Sequence, residues 1–401
     1  MKAVILAAGE GTRMRPLTED TPKPLLPVAG KPIIQHNIDT VEEFVDEVIV
    51  VAGYRIEEFQ EYFSGTDVKI VEQEEALGTA DAALQAREHV EGRTLIMNGD
   101  DIYGESIRRM KGLETAIGVT EVENPGNYGV IRAENGTIES IIEKPENPPS
   151  SLANIGLYLV KPVFFDLLEE VERSERGEYE ITDAFNDYFS REEVEMVESE
   201  KWLPCSYPWQ LLKANRELLE GLETRIEGEV DGSASIHGEV VVEEGAEIRE
   251  NTVIEGPAVI KEDAVIGPDA YIRHHTVIHE EAEVGNSEVK NSVLRRGSAA
   301  PHFNYVGDSY VGREANLGAG VKTANLRNDE EDIRMEVKGE LINTGMRKMG
   351  AIIGSEARLG VNASIRPGRK IGFRSSVDAN EKVTSNVPSG KALIDGEIRK
   401  P

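Results

Sequence analysis

Aliphatic residues recur at every sixth position through the second half of the chain: Val230, Ile236, Val242, Ile248, Ile254, Ile260, Ile266, Ile272, Ile278 and Val284. Two residues before most of them stands a small side chain, at Ala234, Ala246, Thr252, Ala258, Ala264, Ala270, Thr276 and Ala282. A second block keeps the spacing at Ile353, Leu359, Ile365, Ile371, Val377 and Val383. Neither the two-residue period of a strand nor the 3.6-residue period of a helix generates this pattern. A triangular coil of parallel strands does, with one aliphatic residue per face turned inward and small residues at the turns. Between the blocks, over residues 285–352, the period slips, and the polar stretch from Asn325 to Lys348 carries no hexad. That stretch reads either as a disordered insertion or as a loop swung out to close a site.

The first part of the chain follows a different rule. Short β-rich runs (VILAA, DEVIVVAG, DVKIVEQ, TLIMNGD) alternate with helical patterns at Pro32 to Phe44, near Ile56 to Phe63, and near Thr79 to Val90. This alternation predicts parallel βαβ units in a doubly wound sheet. Later runs (TAIGVTEV, YGVIRAE, TIESIIEK, ANIGLYLV) lack helical spacers and suit a mixed extension lining a substrate pocket. PWQLLKANRELLEGLE, from Pro208 to about Glu223, has an i, i+3, i+4 apolar stripe and reads as a bridging helix. The expected fold class is therefore α/β, a doubly wound, Rossmann-like mixed sheet over residues 1–222, followed by a left-handed parallel β-helix of hexapeptide repeats over 223–401.

Charge and cysteine content narrow the function. With 74 Asp plus Glu against 44 Lys plus Arg the formal charge is −30, which argues against a nucleic-acid groove, since phosphate backbones need a basic face. Nucleotides and sugar phosphates need only a few local cations. Such acidity also suits a salty cytoplasm, where carboxylates keep the surface hydrated. Cys205 is the single cysteine, so neither an internal disulfide nor a thiolate metal cluster is available, and it reads as a small core residue. The opening MKAVILAAGEG has only a short apolar run, and no stretch approaches the ~18 apolar residues of a membrane span, so a cytoplasmic protein is expected. His274, His275 and His279 lie close together, but neighbouring residues of a hexad point to different sides and no carboxylate spacing supports a metal, so turn positions are expected.

Directly after the first strand comes LAAGEGTRMRPLT. Gly9 and Gly11 let backbone approach a triphosphate, Thr12 adds an N–H and a hydroxyl, and Arg13 with Arg15 brings charge. The third glycine of a dinucleotide fingerprint is missing, Met14 standing there, and no GK[ST] follows. Lys23 comes ten residues after Arg13, in PKPLLPVAGKP, where prolines hold a cation rigidly; two such cations suit the charge of a phosphoryl transfer.

Gly9 to Val28 resembles, almost letter for letter, the signature of the sugar-1-phosphate nucleotidylyltransferases. The resemblance covers about residues 1–215. It implies that Arg13 and Lys23 stabilise the α-phosphate and departing pyrophosphate, with Leu6, Ala8, Gly9, Gly11, Thr12, Gln73, Gly78 and Thr79 binding the nucleotide. Asp100 in NGDD matches the Mg²⁺ ligand, and Gly129, Glu143, Lys144 and Asn154 match sugar-phosphate contacts. One departure stands out. Relatives carry W-x-D-[IV]-G near the domain end, with a second metal carboxylate, whereas here the run is Trp202, Leu203, Pro204, and proline binds no metal. Asp100, Asp101, phosphates and water remain to hold the ion.

The segment EVKNSVLRRGSAAPHFNYVGDSYVGREANLGAGVKTANLRND resembles the acetyltransferase site of bifunctional GlmU-type enzymes. By that resemblance His302 is the general base for the amine of glucosamine-1-phosphate as it attacks acetyl-CoA, a task that suits an unperturbed imidazole of pKa about 6.5. Arg273 and Lys290 match residues holding the sugar phosphate, Tyr305 and Asn316 sugar contacts, and Asn325 an asparagine near the amine or thioester. The Ala319 N–H, between Gly318 and Gly320, matches an oxyanion donor. The insertion that follows resembles the archaeal form, and its Arg334, Arg347 and Lys348 could approach coenzyme A phosphates.

The expected function is synthesis of UDP-N-acetylglucosamine: N-acetylation of glucosamine-1-phosphate by acetyl-CoA, then Mg²⁺-dependent transfer from UTP, dTTP remaining open. The resemblance also implies a homotrimer with the acetyl site between subunits. Three alternatives stay open: a nucleotidylyltransferase whose coil is only structural or regulatory, an acetyltransferase with a degenerate nucleotidyl site, and a sugar-nucleotide-binding regulator without catalysis.

Overall fold

A computed structural model describes residues 1–134 and 136–400. They group into two compact units: one holds Met1–Glu10, Pro22–Leu25 and Pro32–Pro204, the other Gly11–Thr21, Leu26–Lys31 and the chain from Cys205 onward.

In the first unit, β1 (Lys2–Leu6), β2 (Glu47–Ala52), β3 (Lys69–Glu72) and β4 (Thr94–Asn98) run parallel, in spatial order β4-β1-β2-β3. Along β1, Val4 and Leu6 enter one apolar cluster while Ala3 and Ile5 enter another, so the sheet is covered on both faces, as a parallel sheet requires. Helices α1 (Ile33–Val41), α2 (Ile56–Tyr62) and α3 (Thr79–Leu84) link the strands; α3 is shorter than the pattern to Val90 suggests, a 3₁₀ turn following at Arg87–His89. The sheet continues from β4 through antiparallel strands β5 (Ala116–Glu121), β6 (Gly129–Glu134), β7 (Thr137–Glu143) and β8 (Leu152–Val160), the path running β7-β6-β8-β4 with β5 also on β8. Strand order reverses at β1, so the carboxyl ends of β1 and β4 flank the crevice where such sheets bind ligands.

In the second unit, helix α4 (Pro208–Leu219) begins with a capping box in which Gln210 accepts from the Tyr207 N–H at 2.9 Å, and Pro208 occupies its first turn. Beyond it the chain stacks parallel strands 18 residues apart: Val242 pairs Ile260, which pairs Ile278; Ile248 pairs Ile266, which pairs Val284; Ile254 pairs Ile272. Three hexads thus complete one turn, and the aliphatic residues form a continuous buried column. Cover is thinnest at the first rungs, Val230 being 37% exposed.

The slip in period has two causes. Ile278, Leu294 and Val311 stack on turns of 16 and 17 residues, and Val311 then pairs Ile353, 42 positions on, which is 24 beyond a regular turn. Those 24 residues are Asn325 to Lys348. They are an ordered hairpin, Arg334–Val337 against Glu340–Asn343, so the disordered reading is corrected. Buried Ile333, Met335 and Val337 supply its apolar side, and a Leu326–Lys348 bridge closes its base. No helix among the described residues is long and apolar enough to cross a membrane.

Candidate active sites

Within the first unit, β1 delivers Leu6 and Ala8, both buried, to the crevice, and nothing lies within 4 Å of where a β-carbon on Gly9 would stand. β4 ends beside it, the Gly99 N–H donating to the Leu6 carbonyl at 2.8 Å. The next residue, Asp100, accepts from the ammonium of Lys23. Lys23 is buried, so its charge is held where solvent screens it least. Gln73 is buried too; its amide donates to Asp81 Oδ2 at 2.6 Å and to the Gly78 carbonyl at 3.2 Å. Gly78 is required there: its φ is +125°, and a β-carbon would meet the Tyr179 carbonyl at 2.4 Å. Thr79 Oγ1 accepts from the Ile181 N–H at 3.0 Å, so this threonine also pins the start of the Ile181–Tyr188 helix.

The sugar-contact candidates converge across three strands. Gly129 pairs Glu143 between β6 and β7; a β-carbon on Gly129 would meet Glu143 Oε2 at 3.0 Å and Asn154 Nδ2 at 3.6 Å. Lys144 Nζ lies 3.0 Å from Glu143 Oε1, and Arg176 reaches Glu143 at 3.4 Å and Glu180 at 3.0 Å. Burial raises the Glu180 carboxyl above its ordinary range. Asn154 donates to the Tyr158 hydroxyl at 2.7 Å, and its own carbonyl accepts from Gly156 N–H, where β8 shifts register against β5. Arg176, Glu180 and the bulge at Gly156 have no motif that announces them in the sequence.

Asp101, the other acidic residue at this strand end, is held by its neighbours. Its side chain accepts from Trp202 Nε1 at 3.2 Å, its backbone carbonyl accepts from Asn37, and Pro204 pairs with it across two short strands. Pro204 therefore sits in register with the acidic pair and brings no carboxylate. Asp100 is part-exposed, a hard carboxylate at a strand end of the kind that Mg²⁺ prefers. Among the described residues no three His, Cys, Asp or Glu side chains gather as a metal cluster, and the three neighbouring histidines form none. His274 and His275 do occupy a turn, His275 at φ +61°, whereas His279 follows a strand and is buried.

The loop carrying Gly11, Thr12 and Arg13 belongs to the second unit. Gly11 adopts φ +61°, its carbonyl accepts from Thr18 Oγ1 at 2.9 Å, and the exposed Arg13 guanidinium lies 5.8 Å from the Tyr207 ring centre. Cys205 in this unit is buried, as a core residue.

On the coil the candidate acetyltransferase residues fall into two groups. In one, Lys290 lies 3.5 Å from Asp308, Asn325 donates to Asp308 and, at 3.1 Å, to the Tyr305 hydroxyl, and Arg273 donates to Glu288 at 2.7 Å. Burial raises the Tyr305 phenol, so the hydroxyl stays protonated. A cavity of about 730 Å³ adjoins this group, lined by Lys213, Arg216, Lys290, Arg347 and Lys348 together with Asp308, Arg347 also pairing with Glu330. In a chain of charge −30, that is a marked concentration of cations. In the other group, exposed His302 donates its backbone N–H to Asn304 Oδ1 at 3.1 Å, its carbonyl accepts from Gly320 N–H at 2.9 Å, and Asn304 donates to the Gly318 carbonyl at 2.8 Å. Half-exposed Ala319 lies in the same turn, and Asn316 stands on the neighbouring strand. Buried Asn304, which ties the two loops, escapes sequence reasoning because a lone Asn between His302 and Tyr305 carries no pattern.

Residues 2–221 match the nucleotidyl transferase family. The chain is 41% identical to Bifunctional protein GlmU of Methanocaldococcus jannaschii, across 97% of this chain and 96% of that protein. It belongs to the GlmU-type family. The chain is also 38% identical to a bifunctional sugar-1-phosphate nucleotidylyltransferase/acetyltransferase of Sulfurisphaera tokodaii, over 98% and 99% of the two lengths. A UDP-glucose pyrophosphorylase solved with UDP-glucose matches with a TM-score of 0.50 at 25% identity, covering 55% of this chain and 98% of its own. Membership in the GlmU-type family thus spans both the sheet and the repeat-built unit, whereas the solved structure corresponds to the nucleotidyl transferase part.

Proposed function

We infer that this chain makes UDP-N-acetylglucosamine in two steps, N-acetylating glucosamine-1-phosphate with acetyl-CoA and then transferring uridylyl from UTP to N-acetylglucosamine-1-phosphate. The observation that carries this reading is kinship over nearly the whole chain with bifunctional relatives, one named for both activities. It is supported by the buried Lys23 on Asp100 and by His302 in its Asn304-tied loop.

In the first step the acceptor amine attacks the thioester carbonyl; His302 takes the amine proton, the Ala319 N–H receives the developing oxyanion, and the coenzyme A thiolate leaves. Arg273, Lys290, Tyr305, Asn316 and Asn325 orient the acceptor, and the basic cavity beside Lys290 suits the phosphates of acetyl-CoA. In the second step Gln73 and the Gly78–Thr79 turn hold the base of UTP, while the Gly129, Glu143, Lys144 and Asn154 group holds the sugar phosphate. The sugar-phosphate oxygen attacks the α-phosphorus in line; Lys23 and Arg13 stabilise charge on the phosphates as pyrophosphate departs. Asp100 would hold Mg²⁺, which when bound neutralises phosphate charge.

The reading includes a left-handed β-helix assembled as a homotrimer, His302 of one chain working with the Arg273 and Lys290 group of a neighbour. Phe303, 70% exposed beside His302, supports an apolar contact there. One assay tests the function: purified protein with glucosamine-1-phosphate, acetyl-CoA, UTP and Mg²⁺, followed separately for free thiol and pyrophosphate. Both products are expected; absence of either removes the corresponding half-reaction.

A further inference from the structure

The Gly11–Thr21 loop and the Leu26–Lys31 segment lie in the same compact unit as the repeat-built coil. Their anchors stand on one face of it, where Val293, Tyr310, Ile352 and Lys370 pair in a column through successive rungs. Arg313 grips Asp20 twice, Nε to the carboxylate at 3.1 Å and Nη2 to the backbone carbonyl at 3.0 Å. Arg295 Nη2 donates to Thr21 Oγ1 at 3.0 Å, and the Tyr310 hydroxyl to the Pro27 carbonyl at 2.9 Å. Ser389 donates to Glu19 at 2.6 Å and Lys370 to the Arg15 carbonyl at 3.0 Å. Asp20, Thr21, Arg295 and Tyr310 are all buried. The Arg295 and Tyr310 bonds are buried and the Arg313 bonds part-buried, and one guanidinium that satisfies both a side chain and a backbone carbonyl fixes orientation as well as position.

The loop needs such support. It holds a 3₁₀ turn, Thr12–Met14, after a left-handed glycine, and its own bonds, such as Met14 N–H to the Gly11 carbonyl and Leu17 N–H to the Met14 carbonyl, join near neighbours and shape the loop without fixing where it stands. Leaving a loop of this kind free would cost about 1–2 kcal/mol per residue when a ligand orders it. We propose that Arg313, a residue of the hexapeptide-repeat coil, is a positioning residue for nucleotidyl transfer: through Asp20 it holds the loop that presents Thr12 and Arg13 to the triphosphate. Tyr310 and Arg295 brace the same segment. Arg313 thus serves the chemistry of the nucleotidyl half while standing on the half that carries His302. The inference rests on the reading that Thr12 and Arg13 bind the triphosphate.

The test uses the full chain carrying Arg313→Gln, Arg313→Lys, Asp20→Asn, and the double variant Arg313→Gln/Asp20→Asn. Pyrophosphate release is resolved into KM for UTP and kcat, thiol release is followed on the same samples, and Mg²⁺–UTP binding is measured by calorimetry. Expected for Arg313→Gln is a loss of about tenfold or more in kcat/KM for UTP, mostly in KM, with thiol release kept within about twofold. Arg313→Lys regains part of the loss because it restores one of the two bonds. The double variant is no worse than the poorer single one, as for partners in one interaction. The proposal is overturned if Arg313→Gln leaves nucleotidyl kinetics and UTP affinity within about twofold of the parent, if both activities fall together, or if the two substitutions multiply. Should the parent release no pyrophosphate, the functional reading fails on its own, and UTP affinity alone decides the role of Arg313.

Discussion

The Lys23 ammonium donates to the Asp100 carboxylate, 77 positions away, where the lysine is buried and the aspartate part-exposed. The pair joins a buried cation to a part-exposed carboxylate, the two groups proposed above to serve phosphoryl transfer. Lys23→Gln removes the cation and leaves the fold of the β1–β4 crevice. We expect pyrophosphate release to fall by about 10²–10³-fold, the usual scale for one preorganised electrostatic donor, with thiol release unchanged. Equal loss of both products would place Lys23 in stability instead.

Gly129→Ala tests the sugar group. Backbone conformation does not forbid it, because Gly129 is extended strand, but the new methyl would press on Glu143 Oε2 at 3.0 Å. The carboxylate must turn away, taking Lys144 and Arg176 with it. KM for the sugar phosphate is expected to rise about tenfold, equivalent to 1.4 kcal/mol, while KM for UTP and the melting temperature hold. A rise in KM for UTP alone would remove Gly129 from the sugar group.

Much of this architecture is legible because it repeats or is local. The hexad column needs only a six-residue periodicity, and Gly9, Gly78 and Lys23 sit in motifs a few residues long. What escapes is pairing across long separations. Arg313 and Asp20 are 293 positions apart, and Trp202 takes the Asp101 carboxylate from 101 positions away. The Asn325 to Lys348 hairpin escapes for another reason: its apolar side is just Ile333, Met335 and Val337, set among charges that disguise a two-residue period.

Asn304 links the backbone of His302 to the Gly318 carbonyl and also engages Ser287, its N–H donating to Ser287 Oγ at 3.0 Å. Asn304→Ala keeps the backbone bond to Ser287 but removes the side-chain partner of the His302 N–H and the Gly318 carbonyl, a cost of about 1–3 kcal/mol in stability. Because the bond to His302 is through the backbone, kcat for acetyl transfer should fall by about tenfold, less than the 10²–10⁴-fold expected for His302→Ala. Stopped thiol assays on both variants check the ranking; equal losses would mean Asn304 acts only by unfolding the loop.

The coil should be stiff at its centre and loose at its start. Ile266 is fully buried between Ile248 and Val284, so Ile266→Ala should cost about 2–5 kcal/mol by urea unfolding. Val230, 37% exposed in the first rungs, has little cavity to leave, and Val230→Ala should stay within about 0.5 kcal/mol. Comparable losses at both positions would contradict a column that is closed only from its inner rungs onward.

His279 carries a pH dependence of known sign. It is buried, its Nε2 has no partner, and burial holds its pKa below the ordinary 6.5. Arg295 and Lys261 push the same way, and Glu280, with Oε2 at 3.5 Å from Nδ1, offsets only part of this. The folded state therefore binds fewer protons here than the unfolded one. Stability contributed by the neutral ring is fully present above pH 6.5 and is lost as pH falls from there toward the lowered folded pKa. The urea midpoint of the parent should thus decline through that window, and His279→Gln should flatten the decline while leaving the midpoint above neutrality within about 1 kcal/mol. A slope that survives the substitution unchanged would assign the pH dependence to other groups and mean that His279 is protonated at little cost in the folded chain.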